Sequence, residues 1–145
     1  MEKERKIVAS LIQTPDGTIL WSRFTHDYVQ YHDQVSDEDY MLDGGSSYRR
    51  TFVNQVKPKD MSVFSDDPWD LQRQYILRGT FNSEGLRVWV PLCKLSNDHI
   101  KALADMSSAD SRYHQELQYR KKHNINIADH DYKNEGVEAI THTKE

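Results

Sequence analysis

Arg23-Phe24-Thr25-His26-Asp27-Tyr28 and, fourteen residues after Tyr28, Leu42-Asp43-Gly44-Gly45-Ser46-Ser47-Tyr48-Arg49-Arg50 bound the stretch on which the fold turns. Gly44-Gly45 marks a point where the backbone takes φ > 0 and the chain reverses, and the segments around it read as strands. The two segments gather His26, the aspartates Asp27 and Asp43, and the adjacent arginines Arg49 and Arg50. Glycine amides come close to an anion, arginine forks match phosphate, and tyrosine rings offer faces to a base. Together they read as a small anion site.

On the N-terminal side, residues 7–13 and 18–24 are strand-like runs joined by Thr14-Pro15-Asp16-Gly17, a turn in which proline presets φ and glycine takes the left-handed position. Residues 28–32 and 40–42 form the next expected strand pair, separated by Asp33-Gln34-Val35-Ser36-Asp37-Glu38-Asp39. Residues 48–53 make a fifth strand entered through the glycines, which completes an antiparallel meander. Further on, Asp67 as N-cap and Pro68 at the first helical position open a helix expected to run to about Arg78 and stop at Gly79. A second hairpin is expected over 80–90 around Asn82-Ser83-Glu84-Gly85. Ser96 caps a short helix, and a third helix spans about 109–122, with Tyr113, Leu117 and Tyr119 as sparse apolar positions and Glu116 and Arg120 as an i,i+4 pair. A helix so polar calls for a partner, for which a second subunit is the natural choice.

The expected class is therefore α+β: an N-terminal antiparallel β-meander followed by two or three helices, in an oligomer. One domain is expected over 1–127 with a mobile tail over 128–145, where the apolar pattern fades. A second His-Asp-Tyr, at 130–132, falls in that tail and is taken as coincidence.

Composition sets further bounds. A chain of 145 residues, 37% apolar and 29% charged, suits one domain with a polar surface whose core self-association would complete. The net charge of −4 and pI near 6.0 argue against a partner such as duplex nucleic acid, which calls for a broad basic field, whereas a compact anion needs only a local cluster. Cys93 is the single cysteine, so no disulfide or thiolate zinc cluster forms within the chain, which fits a reducing compartment. The charged residues 1–6 and the lack of an apolar run of about 20 residues point away from a membrane, toward a soluble protein of the cytoplasm.

Catalytic chemistry finds little footing. His26 and Asp27 resemble a general-base pair, but neighbours in a strand face opposite ways and the other histidines are scattered at 32, 99, 114, 123, 130 and 142. A structural role, with Asp27 bonding turn amides near Gly44-Gly45, fits better. Cys93 follows Pro91 in an apolar run and reads as a buried structural thiol. There is no Walker loop, no G-x-G-x-x-G and no G-x-S-x-G. The chain reads as a binder and not an enzyme, with no cofactor called for. Its candidate ligand-binding set is Arg50, Arg49, Tyr48, Ser47, Ser46, Gly45, Gly44, Asp43, Tyr28 and His26. Against this stands a plain tight turn and edge strand with solvent-facing arginines. At least one of Tyr28, Tyr40 and Tyr48 is expected to be a half-buried strand aromatic, and Trp21, Trp69 and Trp89 to serve the core or an interface. Arg49 and Arg50 face opposite ways in a strand, so one of them meets a given pocket. We take Arg50 to be that residue.

His26-Asp27-Tyr28, then Asp43-Gly44-Gly45, then Tyr48-Arg49-Arg50 resembles the H-D-[FY]…D-G-G…Y-x-R-R core of a widespread family of small, mostly phage-encoded proteins. We identify this family as the one that includes phage sponge proteins countering CBASS immunity, which hold a cyclic dinucleotide messenger without cleaving it. The likeness is clearest over residues 22–50, about a fifth of the chain; Ser62-Val63-Phe64-Ser65-Asp66-Asp67-Pro68 and Trp89-Val90-Pro91-Leu92 are similar to longer members. The resemblance implies a cyclic dinucleotide such as 3′3′-cGAMP as ligand. Arg49 or Arg50 would meet phosphate, and the Asp43-Gly44-Gly45 turn and the tyrosines would frame ribose and base. A ring with two phosphates further suits one arginine from each of two subunits, hence a homo-oligomer with ligand near its interfaces, acting in the host cytoplasm. The alternatives are a protein–protein inhibitor of a host factor and a cyclic-nucleotide phosphodiesterase.

Overall fold

The computed structural model describes residues 5–107, 109–133 and 139–142, with 141 and 142 described by backbone alone. The chain divides into two compact units, Met1–Tyr75 with Glu138–Glu145, and Ile76–Val137. It is α+β, and every strand pairing is antiparallel.

In the first unit, β1 (Ile7–Gln13) and β2 (Thr18–Ser22) form the expected hairpin, with Ser10 opposite Ser22 and Ile12 opposite Leu20. Gly17 takes φ 92° in its turn, and the Thr14 amide donates to the Thr18 carbonyl at 2.9 Å. Two short strands, β6 (Lys59–Asp60) and β7 (Val63–Phe64), return to pair with β1, and β10 (Ile140–His142) pairs with β2. A separate sheet holds β3 (Val29–His32), β4 (Asp39–Asp43) and β5 (Arg50–Thr51). Thus the five expected strands lie in two sheets and are not one meander. The expected fifth strand shrinks to two residues, after which Val53 stands fully exposed. Ile12, Leu20, Val29, Tyr40 and Leu42 form a core shared by β1 to β4, each contributing about 1.5–3 kcal/mol on burial.

The turns are tied together by carboxylates. Asp33, fully buried, accepts from the amides of Asp16, Val35 and Ser36 at 2.8, 3.1 and 2.7 Å. Burial alone would push its carboxyl up, yet these bonds overcome that and hold it below the ordinary aspartate value. Asp16 in turn accepts from Tyr31 Oη at 2.6 Å and the Gln34 amide at 3.1 Å.

The helix expected over 68–78 is one turn, α1 (Trp69–Gln72), and Asp67 spends its carboxylate on the Phe64 amide at 2.7 Å without capping. Residues 73–75 continue the helix as a turn, and the chain becomes a strand from Leu77. In the second unit β8 (Leu77–Phe81) pairs with β9 (Arg87–Pro91), and the apolar, β-branched β9 draws residues 77–81 into a ladder that overrides local helix preference. Gly79 therefore lies within a strand and stops no helix. Then come α2 (Asn97–Met106), capped by Ser96 Oγ accepting from the His99 amide at 3.2 Å, and α3 (Ser111–Lys122), capped by Asp110.

The polarity of α3 has an internal explanation. Glu116 and Arg120 are buried, and Arg120 donates to Glu116 Oε2 at 2.7 Å, Asn97 Oδ1 at 2.8 Å and the Leu92 carbonyl at 2.8 Å. The partner that the sparse apolar positions called for lies in the same unit, so the helix carries no argument for a second subunit. In the segment after 128, Tyr132 is buried and residues 140–142 extend a sheet through backbone bonds, which need no apolar side chains. Cys93 is half-buried, not buried. Among the described residues no helix is long and apolar enough to cross a membrane.

Candidate functional site

Asp43 ends β4 with its carboxylate nearly buried, at 4% exposure. One oxygen accepts from the Gly44 amide at 2.9 Å; the other accepts from Arg50 Nη2 at 2.8 Å and Tyr48 Oη at 3.3 Å. The ladder explains the meeting, since Asp43 and Arg50 are register partners across β4 and β5. The intervening turn closes on the Gly44 carbonyl, which accepts from the amides of Ser47 and Tyr48 at 2.9 and 3.2 Å.

Both glycines hold positive φ, 114° at Gly44 and 56° at Gly45, and both are needed for close approach. A Cβ on Gly44 would fall 2.0 Å from the Tyr48 carbonyl oxygen, and one on Gly45 would fall 2.2 Å from the carbonyl carbon of Phe24. Beneath them, two buried serines grip Gly45. Ser22 Oγ accepts its amide at 3.0 Å, and Ser10 Oγ donates to its carbonyl at 2.6 Å. Ser22 Oγ also donates to the Asp27 carbonyl at 2.7 Å. The glycine amides expected to cradle an anion are thus engaged by Asp43 and Ser22, and what the surface offers is side chains.

Those side chains diverge. Arg50 is 62% exposed and, beyond Asp43, has no further ion pair among the described residues, whereas Arg49 leans toward Asp60 in β6 with Nε 3.6 Å from the carboxylate. Tyr48 and Tyr28 are exposed, at 39% and 50%, and Tyr28 precedes Val29, the partner of Leu42, which places it beside the Asp43 end of the ladder. Of Tyr28, Tyr40 and Tyr48, Tyr40 is the one that is buried, its hydroxyl donating to the Val56 carbonyl. Ser46 and Ser47 are exposed, with Ser47 Oγ 2.6 Å from Thr25 Oγ1.

His26 lies in a turn and not in a strand. Its φ is 71°, a left-handed conformation that histidine tolerates better than most residues, and the Asp27 amide donates to the Phe24 carbonyl at 3.0 Å. Asp27 bonds the Arg23 amide at 2.9 Å with its carboxylate and reaches Gly45 only through its own carbonyl and Ser22. Asp43, Gly44, Tyr48 and Arg50 therefore form one bonded cluster, with Gly45 beneath it, while His26 and Tyr28 belong to a neighbouring turn. Ser10 and Ser22 escape a sequence reading because a strand serine signals nothing until register sets the two opposite each other.

Comparison with protein-family models, with curated proteins and with solved structures gave no match.

Proposed function

We propose that the protein binds a cyclic dinucleotide, with 3′3′-cGAMP the first candidate, and sequesters it uncleaved, blocking a CBASS-type host defence. One observation supports this beyond the resemblance of residues 22–50. The Arg50 guanidinium is oriented by buried Asp43 at the cost of one of its five N–H donors, and it stands at the surface beside the exposed Tyr48 ring. A guanidinium fixed on one side and open on the other suits a phosphate, and the ring suits a base. Both groups are open to water in one chain. Enclosing a ligand with two phosphates calls for a second copy about a two-fold axis, with the messenger between subunits.

The test is to incubate the protein with 3′3′-cGAMP, isolate it, heat it and chromatograph what is released. Intact nucleotide is the expected product; a linearised one would instead mark a phosphodiesterase. A thermal-shift panel over cyclic di- and trinucleotides that finds no stabilisation would sink the reading. Arg50→Ala is expected to weaken binding by about 1.5–3 kcal/mol, and Arg49→Ala far less.

A second reading, inhibition of a host factor by direct contact, draws on the loop after β5. Phe52, Val53 and Val56 are exposed there, while Glu38 holds the amides of Gln55 and Val56 at 2.9 and 3.1 Å. An apolar loop held in place suits a protein surface. Co-purification of a host protein without nucleotide, abolished by Val53→Asp, would favour it.

A further inference from the structure

His130-Asp131-Tyr132, the second copy of the tripeptide, lines two cavities of the second unit. One cavity, of about 240 Å³, is lined by Val90, Lys94, Lys133 and the tripeptide. The other, of about 510 Å³, is lined by Phe81, Asn82, Ser83, Asp129 and the same tripeptide. The larger volume falls within the range of ligand pockets, about 300–1,000 Å³, and the smaller lies just below it.

The shared lining is firmly held. The Tyr132 hydroxyl accepts from the Ser96 amide at 2.8 Å and lies 3.1 Å from His99 Nδ1. Its ring meets that of His130 edge to face, with centroids 4.7 Å apart. Both oxygens of Asp131 accept from Ser83, one from the amide and one from Oγ, each at 2.8 Å. That carboxylate is therefore committed to the β8–β9 turn. His130 Nδ1 is 2.9 Å from the Ala128 carbonyl, and since a carbonyl only accepts, Nδ1 carries the hydrogen and leaves Nε2 for another partner.

Charge is sorted between the two sides. Lys94 and Lys133 line the smaller cavity, where the one acid among the lining residues is the committed Asp131. Asp129 lines the larger one together with Phe81, whose side chain is 64% exposed. We propose that the two cavities, which share His130, Asp131 and Tyr132 in their lining, form one groove that binds a nucleoside monophosphate, its phosphate toward Lys94 and Lys133 and its base against Phe81. Lysine ammoniums serve phosphate as point charges, and an aromatic face accepts any base. Asp129, which only accepts when ionised, selects bases bearing an exocyclic amino group over uracil. The site is built from residues of the second unit alone and does not depend on the cyclic-dinucleotide reading.

Amide chemical-shift titrations of the full chain at low salt, with adenosine monophosphate, adenosine, uridine monophosphate and inorganic phosphate, test it. Adenosine monophosphate is expected to move residues 81–83 and 130–133, with the other three probes binding about tenfold or more weakly. Lys94→Ala with Lys133→Ala, or Phe81→Ala alone, should weaken it by a similar factor; all three side chains are exposed, so the fold tolerates the changes. Arg50→Ala should leave this binding unchanged. No shift at millimolar nucleotide, shifts untouched by the double lysine change, phosphate binding as well as the nucleotide, or loss on Arg50→Ala would each overturn the proposal.

Discussion

Gly45→Ala asks whether the Gly-Gly turn is shaped by the chain itself or left free for a ligand. At φ 56° an alanine pays roughly 1–2 kcal/mol for the left-handed conformation. Its Cβ would also lie 2.2 Å from the carbonyl carbon of Phe24 and 2.5 Å from the oxygen, both backbone atoms that no rotamer change can remove. To restore a carbon contact of about 3.5 Å the turn has to shift by roughly 1 Å. That shift pulls apart the Ser22–Gly45 and Ser10–Gly45 bonds, now at 3.0 and 2.6 Å. At about 1 kcal/mol net for each bond, the whole loss comes to about 3–4 kcal/mol, a large share of a typical stability of about 5–15 kcal/mol. Urea unfolding at neutral pH without any nucleotide should show this drop with an unchanged slope. Ser22→Ala should cost about 1–2 kcal/mol, and combining it with Gly45→Ala should cost less than the sum, because the two changes remove the same bond. A loss below about 1 kcal/mol for Gly45→Ala would refute the internal role of the turn and return the glycines to the ligand.

Arg120→Met strips the guanidinium from buried Glu116 and should cost about 3–5 kcal/mol in urea unfolding. Adding Glu116→Leu should recover most of it, since Asn97 Oδ1 keeps the Ile127 amide at 3.0 Å and the Leu92 carbonyl keeps the Leu95 amide at 3.2 Å. His32, between Asp39 at 2.7 Å and Asp37 at 2.8 Å, has its pKa raised by those two bonds, Asp39 first. Its contribution is therefore complete below about 6.5 and fades as pH rises through the raised value. Imidazole shifts followed by NMR should titrate above the ordinary range and move back toward it in Asp39→Asn. For Asp33 the sign is reversed: its stabilisation is present above about 3.9 and fades as pH falls through its depressed value. Asp33→Asn should lower stability by about 1–3 kcal/mol at pH 7 and flatten the acid limb of the stability curve.

What could be read ahead of the structure was local. Thr14-Pro15-Asp16-Gly17 carries its own turn chemistry, and Ser96 its own cap, so the first hairpin and α2 follow from a few residues each. Asp67-Pro68 is an equally good local signal, but it yields one helical turn because pairing with β9 competes for the residues that follow. Glu116 and Arg120 show the same limit from the other side. Their spacing reveals that they meet, but not that both are buried, because burial depends on Asn97 and Leu92 arriving from elsewhere in the chain. Asp43, Tyr48 and Arg50 were picked out by residue type, and the ladder brings them together. Ser10 and Ser22 were not, since only register makes them a clamp. For His130 to Tyr132 the local apolar pattern is too weak to show that Tyr132 is buried, because its partners Ser96 and His99 come from far along the chain.

The formal charge of −4 says less about the surface than the placement of the acids does. Asp27, Asp33, Glu38, Asp43, Asp67 and Asp131 each accept from a backbone amide, and Glu116 accepts from a buried guanidinium. Each of these charges is turned toward its own chain, where it fastens a turn or a helix. Arg50 is oriented by such an acid yet remains mostly in water, while Lys94 and Lys133 line a cavity. An acidic chain can thus present local cationic points, because an anion at the surface responds to charges within about 8–10 Å at physiological salt and not to the sum over the chain. Raising the salt should accordingly weaken nucleotide binding at Arg50 and at the Lys94–Lys133 groove in parallel, while leaving the bonds of buried Asp33 and Glu116 untouched. If salt that abolished binding also unfolded the protein, the division between inward acids and outward cations would fail.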